Sequence, residues 1–257
     1  MKIGVFDSGV GGITVLNELR ARLPGYHFLY FGDTANVPYG TKSEAQIQNL
    51  VMSASTRIRD HKIDALVIAC NTAAGLALDQ FTIAFKEIPL IDVVEAGVKT
   101  LIRARTKHPD SPILIFGTRA TIQARIYSRL LHIEDTNLKV IEQECPLLVP
   151  MIEEGWIDHP VLHQTVALYT EAYRHLPPSL ALLACTHYPW IKKAFERALP
   201  GWTILDSAQA VTEILSERLP YLARPSHSDS KTEYFFSDPK SVSRNLLAPP
   251  DEGWPSF

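Results

Sequence analysis

Short apolar runs alternate with longer amphipathic segments along most of the chain. Runs of four or five apolar residues between polar or turn residues are typical of parallel strands, which are buried on both faces. The intervening segments repeat apolar positions at helical spacing. The predicted strands are Ile3–Phe6, His27–Phe31, Ala65–Ala69, Leu90–Val93, Ile113–Phe116, Lys139–Glu142 and Leu180–Ala184. The predicted helices are Ile13–Leu23, Ser43–Asp60, Ala96–Arg105, Thr121–Leu131, Val161–His175 and Gln209–Leu219, with a further helix opening at Ala73–Gly75. This alternation predicts an α/β fold whose mostly parallel sheets are flanked by helices.

The same order of features occurs twice along the chain. In each half one strand ends in a small polar loop, and a later strand ends in a cysteine followed by two polar residues. Ligands of open α/β sheets bind beyond the carboxyl ends of strands. The repetition therefore predicts two similar lobes that place Cys70 and Cys185 on opposite sides of one cleft. The first lobe is expected to comprise residues 1–95 and 207–257, and the second residues 96–206. A coincidence of apolar runs is the alternative explanation.

The segment after Ser207 is less regular than the rest. Glu233–Ser237 is predicted to form an edge strand, whereas residues 223–231 are polar and typical of a loop. Pro249–Phe257 is expected to be a frayed end.

Composition narrows the class of protein. The chain has 257 residues, of which 46% are hydrophobic and 21% charged, as in ordinary globular proteins. Its formal net charge of −3 includes no basic excess that would indicate obligatory nucleic-acid binding. The apolar runs are far too short to span a bilayer, and Asp7 interrupts any signal-peptide region. We therefore expect no membrane association and a cytoplasmic location.

The cysteines are the first candidates for chemistry. There are three, Cys70, Cys145 and Cys185, and their spacing fits neither a zinc site nor a CxxC redox pair. Cys70 and Cys185 both leave buried strands at predicted helix starts, where the helix dipole is expected to lower a thiol pKa. A buried, inert cysteine is the ordinary alternative, and Cys145, which lacks this context, is interpreted as a packing residue.

Polar residues beside these cysteines suggest a site for a carboxylate. Asn71 and Thr72 follow Cys70, while Thr186 and His187 follow Cys185. His187 is therefore a candidate acid–base partner. In the first loop, Asp7 is a candidate proton-handling carboxylate and Ser8 a candidate anion ligand. The following GVGG lacks the spacing of a nucleotide-binding motif, and Asp7-Ser8 could simply form a turn. No group of residues has metal-site spacing, so no metal is expected.

Five blocks of sequence, in order along the chain, resemble the signature blocks of the glutamate racemases, within the aspartate/glutamate racemase superfamily. The blocks are VFDSGVGGITVL from Val5, YFGDTANVPYGTKS from Tyr30, LVIACNTA from Leu66, CPLLVPMIEEG from Cys145 and ACTHYP from Ala184. One departure is Ala184, because the family usually has glycine before the second cysteine. The tail after Leu219 resembles the family weakly.

The resemblance implies an isomerase that interconverts L- and D-glutamate without a cofactor and supplies D-glutamate for peptidoglycan. It implies that Cys70 takes the α-proton from D-glutamate, assisted by Asp7, and that Cys185 takes it from L-glutamate, assisted by His187. It allows a homodimer. The substrate-binding positions it implies are Asp7, Ser8, Tyr39, Gly40, Asn71, Thr72, Thr118, Thr121, Thr186 and His187, with Asp33 and Glu153 nearby.

Other interpretations of the same cleft stay open at this level. A non-catalytic protein that binds an amino acid or dicarboxylate would need the polar residues but not the thiols. Another enzyme of the superfamily would act on aspartate or a related acid. A pyridoxal phosphate enzyme is less expected, because no lysine stands at an obvious strand end.

Overall fold

The computed structural model describes residues 1–105, 111–218 and 231–242, and in these residues nine strands form two separate sheets. All strand pairs are parallel. The strands are β1 Lys2–Asp7, β2 His27–Gly32, β3 Ala65–Ile68, β4 Leu90–Asp92, β5 Ile113–Gly117, β6 Val140–Glu144, β7 Leu180–Ala184, β8 Thr203–Asp206 and β9 Thr232–Phe236. The first sheet has the order β4-β3-β1-β2-β9 and the second β6-β5-β7-β8, which confirms the predicted two-lobed α/β fold.

Helices connect successive strands, as parallel pairing requires. They are α1 Ile13–Arg22, α2 Glu44–Arg59, α3 Asn71–Ala84, α4 Val93–Arg105, α5 Arg119–Gln123, α6 Ile126–Glu134, α7 Leu148–Glu153, α8 Pro160–Thr170, α9 Lys192–Ala198 and α10 Ala208–Arg218. None of the described helices is long and apolar enough to cross a membrane.

Local sequence explains where two of these helices begin. The Ser43 side chain accepts a hydrogen bond from the backbone N–H of Gln46, whose own side chain accepts one from the N–H of Ser43. This reciprocal capping box starts α2 at Glu44, one residue after the predicted start. The single helix predicted over Thr121–Leu131 is instead two helices, because Arg125 has a left-handed backbone with φ of 50°. That conformation interrupts the helical hydrogen-bond ladder and re-aims α6.

Other boundaries also differ from the predictions. The helix predicted over Val161–His175 ends at Thr170 in a short 3₁₀ turn, and α4 begins three residues before Ala96. The sequence patterns did not predict α7, α9 or β8. Their segments are too short to establish a period.

The two faces of the second sheet pack against different cores. Along β5, Ile113 and Ile115 join a large buried cluster that runs through the first lobe, while Leu114 and Phe116 join a second cluster. Successive strand residues point to opposite faces, so this alternation follows directly from the strand geometry. Because the large cluster is continuous from one lobe to the other, a shared hydrophobic core holds the lobes against each other.

Helix α4 belongs structurally to both lobes. It packs against α3 and α10 of the first lobe and against α6 and β7 of the second. The boundary expected between residues 95 and 96 falls inside this helix, and the division into residues 1–95 with 207–257 and 96–206 stays a prediction.

The predicted edge strand is present at the end of the described chain. Among the described strands, β9 pairs with β2 alone and lies parallel to it, with Phe31 opposite Phe235 in the register. The loop predicted at residues 223–231 lies outside the described residues except for Lys231, and the end predicted at Pro249–Phe257 lies wholly outside them.

Candidate active site

Residues that follow the ends of five strands line one cavity of about 60 Å³. Ser8 and Cys70 follow β1 and β3 of the first sheet, whereas Thr118, Cys145 and Cys185 follow β5, β6 and β7 of the second. The cavity therefore lies between the two lobes at the carboxyl ends of both sheets. Its size suits a small molecule.

The two cysteines predicted to face a common cleft both line this cavity. The Cys70 thiol donates a hydrogen bond to Ser8 Oγ at 3.4 Å, and the backbone N–H of Ala73 donates to its sulfur at 3.4 Å. Cys70 thereby caps the start of α3. Cys185 stands at the end of β7 on the other lobe. The sulfurs are thus presented to one space by two different sheets.

The expectation that helix starts would lower the thiol pKa values is wrong. Burial, together with the charge of Asp7, raises the pKa of Cys70 to about 11, against hydrogen bonds that lower it. Burial also raises the pKa of Cys185 well above its ordinary value. The helix terminus favours the thiolate, but loss of hydration disfavours any charge and is the larger effect here. Both thiols are consequently protonated at neutral pH.

His187 links Cys185 to a carboxylate. Its Nε2 atom lies 3.0 Å from Glu153 Oε1, and its Nδ1 atom lies 3.9 Å from Cys185 Sγ. A carboxylate can only accept, so Nε2 carries the proton and Nδ1 is left as an acceptor facing the thiol. The buried His187 ring can therefore receive a proton from Cys185.

Asp7 is buried at the end of β1 and turns toward the second lobe. Its carboxylate accepts hydrogen bonds from the N–H of Gly9 at 2.9 Å and from the Thr186 hydroxyl at 3.2 Å. Burial raises its pKa, while the hydrogen bonds, and the positive charge of the His187 ring once it has taken up a proton, oppose that rise. Asp7 influences Cys70 through its charge rather than through a hydrogen bond.

Three threonine hydroxyls join the lobes beside the cavity. Thr72 on α3 lies 3.0 Å from both Thr118 and Thr121 of the second lobe, which lie 2.9 Å from each other. Gly40 packs against the same group, because a Cβ atom there would come within 2.6 Å of Thr118 Cβ. The predicted Thr72, Thr118, Gly40 and Tyr39 line the cavity, whereas Thr121 supports them from behind.

Asp33 holds Tyr39 from outside the cavity. The Tyr39 hydroxyl donates to Asp33 Oδ2 at 2.6 Å, and the Ser237 hydroxyl donates to Asp33 Oδ1 at 2.7 Å. Burial and the Asp33 carboxylate raise the Tyr39 pKa. Tyr39 is thus a fixed, neutral wall residue, and Asp33 acts through it.

Several wall residues escaped the sequence analysis. Cys145 is packed in the second buried cluster, as interpreted from the sequence, and also lines the cavity, as does Ala184 at the position of the unusual alanine. Arg119 also lines it and pairs with Glu144 at 3.4 Å. Both Cys145 and Arg119 stand one or two residues beyond strand ends, which is the signal that could have identified them. The described residues contain no group of three or more side chains arranged to hold a metal ion.

Comparison with known protein families gives a match over most of the chain. Residues 13–215 match the Asp/Glu/hydantoin racemase family. The chain belongs to this family. Among curated members of this racemase family, the glutamate racemase of Chlorobaculum parvum is 42% identical over 218 residues, which cover 84% of this chain and 79% of that protein. The glutamate racemase of Sulfurihydrogenibium sp. is 40% identical over 216 residues, covering 84% and 82% of the two chains.

Solved structures of racemases in this family share the fold. The glutamate racemase of Francisella tularensis, solved with D-glutamate, superposes with a TM-score of 0.87 at 30% identity and covers 95% of this chain and 91% of its own. The glutamate racemase of Campylobacter jejuni gives a TM-score of 0.85 at 34% identity, with 96% of each chain covered.

Proposed function

We propose that this protein interconverts L- and D-glutamate without a cofactor, using Cys70 and Cys185 as the two proton-transferring groups. The observation that carries the proposal is that these thiols, supplied by different sheets, line the same small cavity. The similarity to proteins named glutamate racemase, at about 40% identity, supports glutamate as the substrate.

Inversion at the α-carbon needs a base on one face and an acid on the other. One cysteine, as thiolate, takes the α-proton, and the electron pair of the broken C–H bond moves into the α-carboxylate. The resulting planar intermediate then receives a proton from the second cysteine on its opposite face. Hydroxyls of Thr72 and Thr118 and the start of α3 can donate hydrogen bonds to the growing negative charge.

The first step requires that a thiol be ionised, and its neighbours suit that task. We assign His187 Nδ1 as the acceptor of the Cys185 proton, with Glu153 holding the ring and balancing its charge. We assign Asp7 the corresponding role toward Cys70 in the first lobe. Its raised pKa brings it closer to that of the thiol it would serve, although no hydrogen bond joins the two side chains in this structure. We assign Cys70 to D-glutamate and Cys185 to L-glutamate.

The biological role follows from the product. D-Glutamate made in the cytoplasm would supply peptidoglycan synthesis, and we place the protein there. A homodimer is the assembly we propose.

Circular dichroism of glutamate tests the activity directly. Purified protein without added cofactor should bring either pure enantiomer to the racemic mixture, and in deuterium oxide the α-carbon of the product should carry deuterium. Cys70→Ala and Cys185→Ala should each lose racemisation by about 10³-fold or more, since each removes one reacting group. The Cys145→Ala variant lacks the third thiol that lines the cavity, and its racemisation rate should stay within a few fold of that of the parent protein.

Three results would count against the proposal. Full racemisation by either alanine variant would refute the two-base assignment. Binding of glutamate without incorporation of solvent deuterium would indicate a binding protein. Faster turnover of aspartate than of glutamate in a substrate panel would change the substrate.

A further inference from the structure

A buried hydroxyl of the second lobe reaches the amide next to Cys70. The Tyr127 hydroxyl on α6 donates a hydrogen bond to Asn71 Oδ1 at 2.5 Å. Asn71 is the first residue of α3 in the first lobe and lines the cavity. We propose that Tyr127 is a positioning residue that fixes the Asn71 amide so that its Nδ2 group donates to a substrate carboxylate. The inference rests on the proposed glutamate site and adds a determinant of substrate affinity to it.

The direction of this hydrogen bond determines the direction of the amide. An asparagine side chain carries one acceptor, Oδ1, and two N–H donors on Nδ2. Turning the amide by 180° exchanges the positions of the acceptor and the donors. Tyr127 stays protonated, because burial, and after it the charge of Asp92, raises its pKa well above the ordinary value. A neutral hydroxyl can also accept, but the 2.5 Å separation fits an O–H···O bond and is too short for an N–H···O bond. The hydroxyl therefore donates to Oδ1, and the two N–H groups are left on the other side of the amide.

The tyrosine ring is itself held in place. Tyr127 is fully buried, and Gly97 on α4 leaves the space that its ring and hydroxyl occupy. A Cβ atom at Gly97 would lie 3.0 Å from Tyr127 Cε1 and 3.2 Å from its hydroxyl. The ring can therefore not swing away from Asn71 without unpacking α4. A donor held this firmly selects one orientation of the amide before any ligand arrives.

Substrate chemistry fits the amide face that remains. Glutamate carries two carboxylates, which only accept hydrogen bonds, so an amide turned with its oxygen inward would repel them. Because Tyr127 and Asn71 belong to different lobes, the second lobe sets the polarity of a binding group on the first. Correct presentation of the amide thus requires the two lobes to be assembled.

The test compares two tyrosines that make the same kind of hydrogen bond. Tyr127→Phe removes only the hydroxyl and should raise KM for both enantiomers about tenfold, with kcat changed less than threefold, as expected when a ground-state contact is weakened. Tyr173→Phe is the matched control, because its hydroxyl donates to the amide oxygen of Gln143 at 2.7 Å and neither residue lines the cavity. Its KM should match that of the parent protein.

A double-mutant cycle separates positioning from general packing. In an Asn71→Ala background, Tyr127→Phe should produce no further rise in KM, because the amide through which it acts is gone. Should Tyr127→Phe fail to fold, Asn71→Asp keeps an oxygen acceptor for Tyr127, replaces the N–H donors by a second oxygen and adds a negative charge, so its KM should rise by more than about tenfold.

Calorimetric titration with L-glutamate measures the dissociation constant, and therefore the same contact, without a kinetic assay. The protein converts the added L-glutamate to a racemic mixture, so the constant describes both enantiomers together. An unchanged KM and dissociation constant in Tyr127→Phe, or an equal rise in the presence and absence of Asn71, would overturn the inference. Unchanged affinity in Asn71→Asp would overturn it as well. Failure of the parent protein to racemise glutamate would instead refute the proposed function, and the calorimetric arm would still report on the amide.

Discussion

The ionisation of Cys70 gives a quantitative test of the site. Burial and the Asp7 charge raise its pKa from 9.0 to about 11. At pH 7 the thiolate fraction is then about 1 in 10,000, compared with about 1 in 100 for an unperturbed thiol. A thiolate of higher pKa is a better nucleophile, with a Brønsted slope of about 0.4–0.5, and this recovers a factor of about 8. The net alkylation rate should be about tenfold slower than that of a free thiol, before its 5% exposure slows it further.

Iodoacetamide labelling across a pH series measures this directly. The ligand-free protein is quenched at intervals, and mass spectrometry follows the peptide that contains Cys70. A synthetic peptide of residues 66–74 provides the unperturbed thiol. The rate for the protein should climb about tenfold per pH unit to pH 10, whereas the rate for the peptide levels off near pH 9. A plateau below pH 9 in the protein would show that burial does not control this thiol.

Replacing Asp7 distinguishes two ways in which it could act on Cys70. Because its charge raises the Cys70 pKa, Asp7→Asn should speed alkylation of Cys70 while it lowers racemisation. Asp79→Asn on the exposed part of α3 is the control and should change neither. Slower alkylation in Asp7→Asn would mean that the carboxylate promotes the thiolate in the free protein, contrary to this reasoning.

Three further predictions concern packing, loop anchoring and alkaline stability. A Cβ atom at Gly11 would overlap side chains of the second lobe. Gly11→Ala should therefore lower the free energy of unfolding, measured in urea, by about 1–3 kcal/mol and should also reduce kcat/KM. If both quantities matched those of the parent protein, the close approach of the lobes at Gly11 would be contradicted. Ser237→Ala removes a hydrogen bond to Asp33, which in turn holds Tyr39. The variant should lose about 1–2 kcal/mol of stability in urea denaturation, and its KM in steady-state kinetics should rise severalfold because Tyr39 is less firmly held. An unchanged KM would show that Asp33 does not influence the site through Tyr39. Cys70 loses its proton near pH 9 in the unfolded chain and near pH 11 in the folded protein, so its contribution to stability is full below pH 9 and falls by up to about 3 kcal/mol between pH 9 and 11. In urea titrations, the Cys70→Ala variant should lose less stability over this pH range than the parent protein. An identical loss in both proteins would refute the raised pKa.

The parts of the site that the sequence predicted are those fixed by strand ends. Cys70 and Cys185 could be identified because each follows a fully apolar run, and parallel strands bring their carboxyl ends to the same side. The same reasoning, applied to β6, could have drawn attention to Cys145.

The remaining features depend on distances that no local pattern contains. Thr72 meets Thr118 across 46 residues of sequence, and Tyr127 meets Asn71 across 56. The thiol pKa values were predicted with the wrong sign because a helix start is visible in sequence whereas complete burial is not. The break at Arg125 escaped prediction because arginine is an ordinary helix former.

The anchoring of Asp33 by the strand β9 segment has a consequence for biosynthesis. Ser237 lies 204 residues after its partner, so the loop bearing Tyr39 emerges from the ribosome long before its anchor exists. At about 5–20 residues per second, that delay is roughly 10–40 s. During this interval β2 has no neighbour on its outer edge, and its unpaired backbone groups could recruit other nascent chains. Chaperone dependence of the newly made protein should therefore be greatest before β9 is synthesised.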